Sequence, residues 1–107
     1  MYEQGKGLTQ SHEKAAKSYE KGCVGGHMRG CSNLAVLYET GMGVSQSHQK
    51  AALLYERACA GDYMRGCANL GEMYEKGAGV PQSHEKAREL YRKACKEGYK
   101  KACEWAN

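Results

Sequence analysis

Residues 22–31 read GCVGGHMRGC, in which Cys23 and Cys31 enclose seven residues and glycine or cysteine fills six of the ten places. A window so rich in glycine breaks a helix rather than continuing one. The spacing returns as CAGDYMRGC at Cys59 and Cys67 and as CKEGYKKAC at Cys95 and Cys103, each step 36 residues. Metal ligands, catalytic thiols and structural bridges are the three roles open to such pairs.

Aligning the chain from Tyr2, Tyr38 and Tyr74 gives three copies in phase without a gap, and 12 of the 36 columns are identical in all three. They include Gly5/Gly41/Gly77, Gly7/Gly43/Gly79, Ser11/Ser47/Ser83, Ala15/Ala51/Ala87, Tyr19/Tyr55/Tyr91 and both cysteine columns. A fixed period of this length indicates a solenoid, in which each unit buries its apolar face only against its neighbours. The units are 2–37, 38–73 and 74–107 of a single repeat domain spanning 1–107.

Composition agrees with that architecture. Hydrophobic residues make up 41%, but there is no Phe and one Trp, and Ala, Cys and Tyr swell the total. Such an inventory suits helices packed closely through small residues better than a large-residue core. The net charge of +4 is spread among intermixed Lys, Arg, Asp and Glu, unlike the basic stripe of a nucleic-acid binder. No apolar run approaches a membrane span, so neither nucleic acid nor membrane insertion is expected. No secretory leader precedes Tyr2; an exported form would carry its targeting segment outside this chain.

Within one unit, SHQKAALLYERACAG (47–61) places Ala51, Ala52, Leu54, Tyr55, Ala58 and Cys59 at helical spacing, with Ser47 as N-cap. MRGCANLGEMYEKG (64–77) places Cys67, Leu70, Gly71 and Tyr74 at i, i+3, i+4 and i+7, a second helix that Gly77 ends in the left-handed conformation. The GxG of Gly77 and Gly79 then turns the chain into the next Ser-capped helix. This pattern predicts six helices in three hairpins, with Gly25–Gly26, Gly61–Asp62 and Gly98 at the breaks. The chain is expected to open in the loop, with no helix before Gly5.

The run from Ala35 to Ala87, with its GxG turn, Tyr and Ala columns and paired cysteines around GxxxGC in repeats of this length, resembles the Sel-one-like repeat, a relative of the tetratricopeptide repeat. The cysteines resemble those of its disulfide-rich branch, the Helicobacter cysteine-rich protein family. The resemblance covers the whole chain and implies an all-α, right-handed α/α solenoid of about three helical-hairpin repeats.

With the helices placed, Cys23 ends one helix and Cys31 lies in the first turn of the next, so an antiparallel hairpin brings them face to face. That geometry can supply the Cα separation a disulfide needs, about 4.4–6.8 Å. Threefold repetition then favours the local set, Cys23 with Cys31, Cys59 with Cys67 and Cys95 with Cys103, among 15 possible connectivities. Zinc sites use closer pairs, and the one nearby histidine, His27, is replaced by Tyr63 and Tyr99 in the other copies, so neither metal nor cofactor is expected. A nucleophile triplicated in register is unexpected too. Bridges of this kind place the protein in an oxidising compartment, secreted or periplasmic.

Two further patterns bear on function. SHEK at 11–14, SHQK at 47–50 and SHEK at 83–86 fit the Ser-x-x-Lys signature of penicillin-recognising enzymes, with Ser47 and Lys50 as the representative pair. Resemblance to the cysteine-rich family implies penicillin binding and weak β-lactamase-like activity as an alternative function. The residues themselves favour capping serines and solvated lysines, because no SDN or KTG follows. His12, His48 and His84 recur one per repeat, too far apart to act together.

On the second helix of each hairpin, at about 100° per residue, Cys31, Leu34, Ala35 and Tyr38 share the packing side. Arg29, Asn33 and Leu37 point the other way, followed by Arg65, Asn69 and Met73, and then Lys101 and Trp105. The tetratricopeptide-like resemblance implies that this side lines a concave groove, where Asn amides hold a peptide backbone and Arg takes a carboxylate. The expected function is a monomeric protein- or peptide-interaction module, binding through Arg29, Asn33, Leu37, Arg65, Asn69, Met73 and Lys101. Its partner is expected to be extended and to carry acidic groups or a C-terminal carboxylate.

Overall fold

A computed structural model describes residues 2–106, with side chains from Ser11 onward. Six helices follow one another: α1 (Tyr2–Val24), α2 (Met28–Thr40), α3 (His48–Ala60), α4 (Met64–Lys76), α5 (His84–Lys96) and α6 (Lys100–Trp105). Each packs on the next in an elongated stack of 47 × 27 × 21 Å, an all-α solenoid.

Two kinds of junction alternate. Between α2 and α3, and between α4 and α5, Gly41 and Gly77 take the left-handed conformation, and their N–H groups donate to the carbonyls of Leu37 and Met73. The second glycines, Gly43 and Gly79, are left-handed too, and a Cβ at either would fall within 2.6 Å of the backbone of His12 or His48. Each turn therefore rests directly on the helix of the preceding repeat, which only glycine allows. The chain leaves the turn extended at Ser47 and Ser83, whose hydroxyls accept the N–H of Lys50 and Lys86 and so cap α3 and α5.

At the other junctions the disulfides lie. Cys23–Cys31, Cys59–Cys67 and Cys95–Cys103 join α1 to α2, α3 to α4 and α5 to α6, with Cα separations of 4.6, 4.5 and 4.8 Å. Gly26, Asp62 and Gly98 turn the chain there with positive φ. Gly66 lies so close to α3 that a Cβ would stand 2.7 Å from that of Ala58. The same column holds Ala102, fully buried, in the last repeat. Small residues at these crossings let the helices approach closely, which is how a chain without Phe builds a continuous core.

The first repeat departs from expectation. The chain does not open in a loop: α1 runs unbroken from Tyr2 through Gly5, Gly7 and Ser11. The left-handed turn forms on a carbonyl four residues back in a preceding helix, as at Gly41, and on an earlier repeat, as at Gly43 on His12. At Gly5 and Gly7 the backbone is helical instead.

Candidate functional site

The outward face of α2 and α4 carries a stripe at i, i+4, i+7 and i+11: Arg29, Asn33, Val36 and Thr40, then Arg65, Asn69, Glu72 and Lys76. The arginines are exposed and the asparagines half-buried. Lys101 continues the arginine column on α6 and is exposed. Arg65 stands beside the tyrosines that open α6 and its own helix. The Tyr99 side chain first, then Tyr63, moves its guanidinium further up an already high range. His27, Tyr63 and Tyr99 precede α2, α4 and α6 without a side-chain cap, leaving first-turn N–H groups near each cation.

Leu37 and Met73 do not belong to this stripe. They are 8% and 2% exposed and lie in the core, Leu37 beside Ala16 and Leu34, Met73 beside Tyr55 and Leu70. Their helices are sandwiched, α2 between α1 and α3 and α4 between α3 and α5, so the apolar sector is wider than a single packing side provides. The exposed places expected for Leu37 and Met73 go instead to Val36 and Glu72, one residue earlier.

At the Ser-x-x-Lys motif the geometry is that of a cap. Ser47 Oγ accepts the Lys50 backbone N–H at 3.2 Å, while the Lys50 ammonium lies 5.5 Å from the centre of the Tyr38 ring. The arrangement recurs with Ser83, Lys86 and Tyr74. The lysine is thus held by a cation–π contact to the previous repeat. His48 and His84 are exposed and His12 half-buried, each in a separate repeat. Among the described residues no three His, Cys, Asp or Glu side chains gather where a metal ion would be held, and no helix is long and apolar enough to cross a membrane.

Sequence inspection missed two features. Tyr55 and Tyr91 reach back 16 residues to hydrogen-bond Glu39 and Glu75, a pairing that the 36-residue period repeats and could have flagged. The other is an opening of about 300 Å³ between α1 and α3, floored by Leu34 and Tyr38. Trp105, 47% exposed, lies against α5 with its ring centre 5.4 Å from that of Tyr91.

A stack of helical hairpins with an exposed, periodically repeated polar stripe defines an α/α repeat scaffold, a class that commonly serves in protein interaction. The sequence matches the Sel1 repeat at residues 1–27, 29–63 and 65–99, and the chain belongs to that family. In this phasing one unit pairs α2 with α3 and the next α4 with α5, so each disulfide crosses, or lies at, a boundary between units. Among solved structures the chain is similar to Helicobacter pylori cysteine rich protein B, with 33% identity and a TM-score of 0.80, over 82% of this chain and 66% of that one. It is also similar to a Sel1 repeat protein from Oxalobacter formigenes, with 27% identity and a TM-score of 0.79, over 84% and 37% of the two chains. A third likeness is to c5321, a protective antigen of uropathogenic Escherichia coli displaying an SLR fold, with 28% identity and a TM-score of 0.81, over 85% and 20%. The chain thus spans less than two thirds of the length of each of these proteins. No curated protein sequence matches it.

Proposed function

We propose that the protein is an interaction scaffold that binds an extended peptide segment bearing acidic groups or a free C-terminal carboxylate along the α2–α4 face. The observation that carries this is the repetition of one pair, an exposed arginine followed four residues later by a half-buried asparagine, at Arg29/Asn33 and again at Arg65/Asn69. An amide held half-buried is positioned to exchange hydrogen bonds with a peptide backbone, and an exposed guanidinium takes a carboxylate bidentately. The exposed Arg65 guanidinium carries its charge at any working pH, which supports the same role. Three disulfides support an oxidising compartment, periplasmic or extracellular, as its place of work.

The test is selection from a display library of peptides with free C-termini, followed by affinity measurement on the parent and the Arg65→Ala/Asn69→Ala double variant. Loss of the Arg65 bond to a carboxylate should weaken binding by about 1.5–3 kcal/mol and loss of the Asn69 bond to the peptide backbone by about 0.5–1.5 kcal/mol, while folding shifts by no more than about 0.5 kcal/mol. Selected peptides that bind the double variant as tightly as the parent would show that the contact surface is elsewhere.

A further inference from the structure

We propose that the trough between α1 and α3 is a second recognition site, for a protein segment that presents one large apolar side chain flanked by carboxylates. Val24, on the last turn of α1, is 74% exposed and Leu53, in the middle of α3, is 66% exposed, and both border the opening of about 300 Å³. Leu34 and Leu54 belong to the core and line the same opening, so it is pre-formed by residues already held in place.

The repeat itself supplies the control. Leu53 shares its column with Lys17 and Glu89, and Val24 shares its column with Ala60 and Lys96. The solenoid therefore packs with a lysine or a glutamate where Leu53 stands, and with alanine or lysine where Val24 stands. Single exposed aliphatics are ordinary on a protein surface, but two that converge on one concavity, at columns where the fold does not need them, point to a ligand.

Charge selects the flanks of that ligand. Lys50 and Arg57 border the opening, and Lys17 and Lys21 continue the basic rim along α1 past Val24, against the single carboxylate of Glu20. Arg57 is drawn over the floor by a 3.9 Å contact from Nη1 to Cys23 Sγ, and Lys50 is held over Tyr38. Among the described residues the only ion pair is Lys76–Glu72, on α4, so none of these four cations is neutralised within the fold. A leucine or phenylalanine in the trough with glutamate or aspartate on either side satisfies both the apolar floor and the basic rim.

The probe is the peptide Glu-Glu-Leu-Glu-Glu, blocked at both termini so that it offers no C-terminal carboxylate, titrated into the intact, disulfide-bonded protein with isotope labelling. Saturable shifts should concentrate on α1 and α3 around Val24, Leu53 and Arg57. Leu53→Glu and Leu53→Lys each install a residue that another repeat already carries at this column, so both should fold, as circular dichroism will show. Both should weaken binding at α1 and α3 by about tenfold or more, whereas Glu89→Ala, at the same column on the distant helix α5, should leave it unchanged. Weakening by Leu53→Glu alone, or equal binding of a peptide with Ser in place of Leu, would mean that charge acts without the apolar contact and would overturn the proposal. It is equally overturned by an absence of saturation at millimolar peptide or by shifts confined to α2 and α4. The same holds for a Leu53-dependent dimer or Leu53-dependent binding to phosphatidylglycerol vesicles, since either names a different occupant.

Discussion

The Tyr55 hydroxyl donates a hydrogen bond of 2.5 Å to Oε1 of Glu39, tying the Ser-capped helix α3 to α2 across a GxG turn. Tyr91 makes the same bond to Glu75 at 2.9 Å one repeat later. The tyrosine rings enter the core at Ala35 and at Gly71, where a Cβ would stand 2.8 Å from the Tyr91 ring, while the hydroxyls emerge at carboxylates near the surface. Tyr55→Phe keeps the ring and deletes the bond, and water can reach the half-buried Glu39 in compensation. A loss of about 1–2 kcal/mol in urea denaturation is the expected result. An unchanged midpoint would mean that the ring alone joins the repeats.

The same two tyrosines set an alkaline limit. Burial first, then the hydrogen bond to Glu39 or Glu75, pushes both phenols well above the ordinary value of 10.0. A group whose pKa is raised on folding contributes stability that is complete below its unfolded pKa and is lost as pH rises above it. Stability measured by urea should therefore be unaffected by these groups at neutral pH and decline above pH 10.0. Tyr55→Phe/Tyr91→Phe should flatten that decline, and a decline of undiminished slope would assign it to other groups.

How far the sequence carries is clearest at α2 and α4. Their glycine C-caps, the breaks that precede them at Gly26 and Asp62 and the local cysteine pairs are all legible, because each depends on contacts a few residues apart repeated at one period. Leu37 and Met73 were misplaced because a single helical wheel allows one packing side, and these helices have two. The apolar residue common to that column was the available signal. The α1–α3 trough was hidden for the opposite reason: it is made at columns where the copies differ, which an alignment of repeats discards.

Glycine at the second position of each turn answers two demands, and they can be separated. Gly79 has a φ of +74°, and a Cβ there would lie 2.3 Å from the His48 carbonyl oxygen; Gly98 has a φ of +105° with nothing within 4 Å. Gly98→Ala should cost only the backbone strain of about 1–3 kcal/mol. Gly79→Ala should cost distinctly more, because the turn must lift off α3. Equal melting temperatures for the two variants would count against direct packing of the turn on the preceding repeat.

The three disulfides should open in a fixed order. Cys59 and Cys67 are 5% and 0% exposed and Cys23 and Cys31 are 3% and 0%, whereas Cys95 and Cys103 are both half-buried beside the short α6. Exchange requires a thiolate to reach a sulfur, so limiting reductant followed by alkylation and peptide mapping should label Cys95 and Cys103 first. Complete reduction should then lower stability by about 2–3 kcal/mol per bridge. Random labelling across the three pairs would show that opening is global rather than local.

The serine column supplies the last test, because one motif occupies two structural settings. Ser47 and Ser83 are extended at φ −156° and accept the Lys50 and Lys86 N–H groups, whereas Ser11 lies inside α1 and is exposed. Ser47→Ala and Ser83→Ala each strip a first-turn N–H of its acceptor and should cost about 0.5–2 kcal/mol. Ser11→Ala replaces a mid-helix serine by a better helix former and should be neutral or stabilising by up to about 0.5 kcal/mol. A similar loss at all three positions would mean that Ser11 caps a helix in solution and that α1 begins there. Mass spectrometry after incubation with penicillin interrogates the same residues. With its lysine held over Tyr38 and its hydroxyl accepting a backbone N–H, Ser47 makes no hydrogen bond to a side-chain base, and the mass should not change. An acyl adduct on Ser47 or Ser83 would overturn the capping role as the reason for the motif.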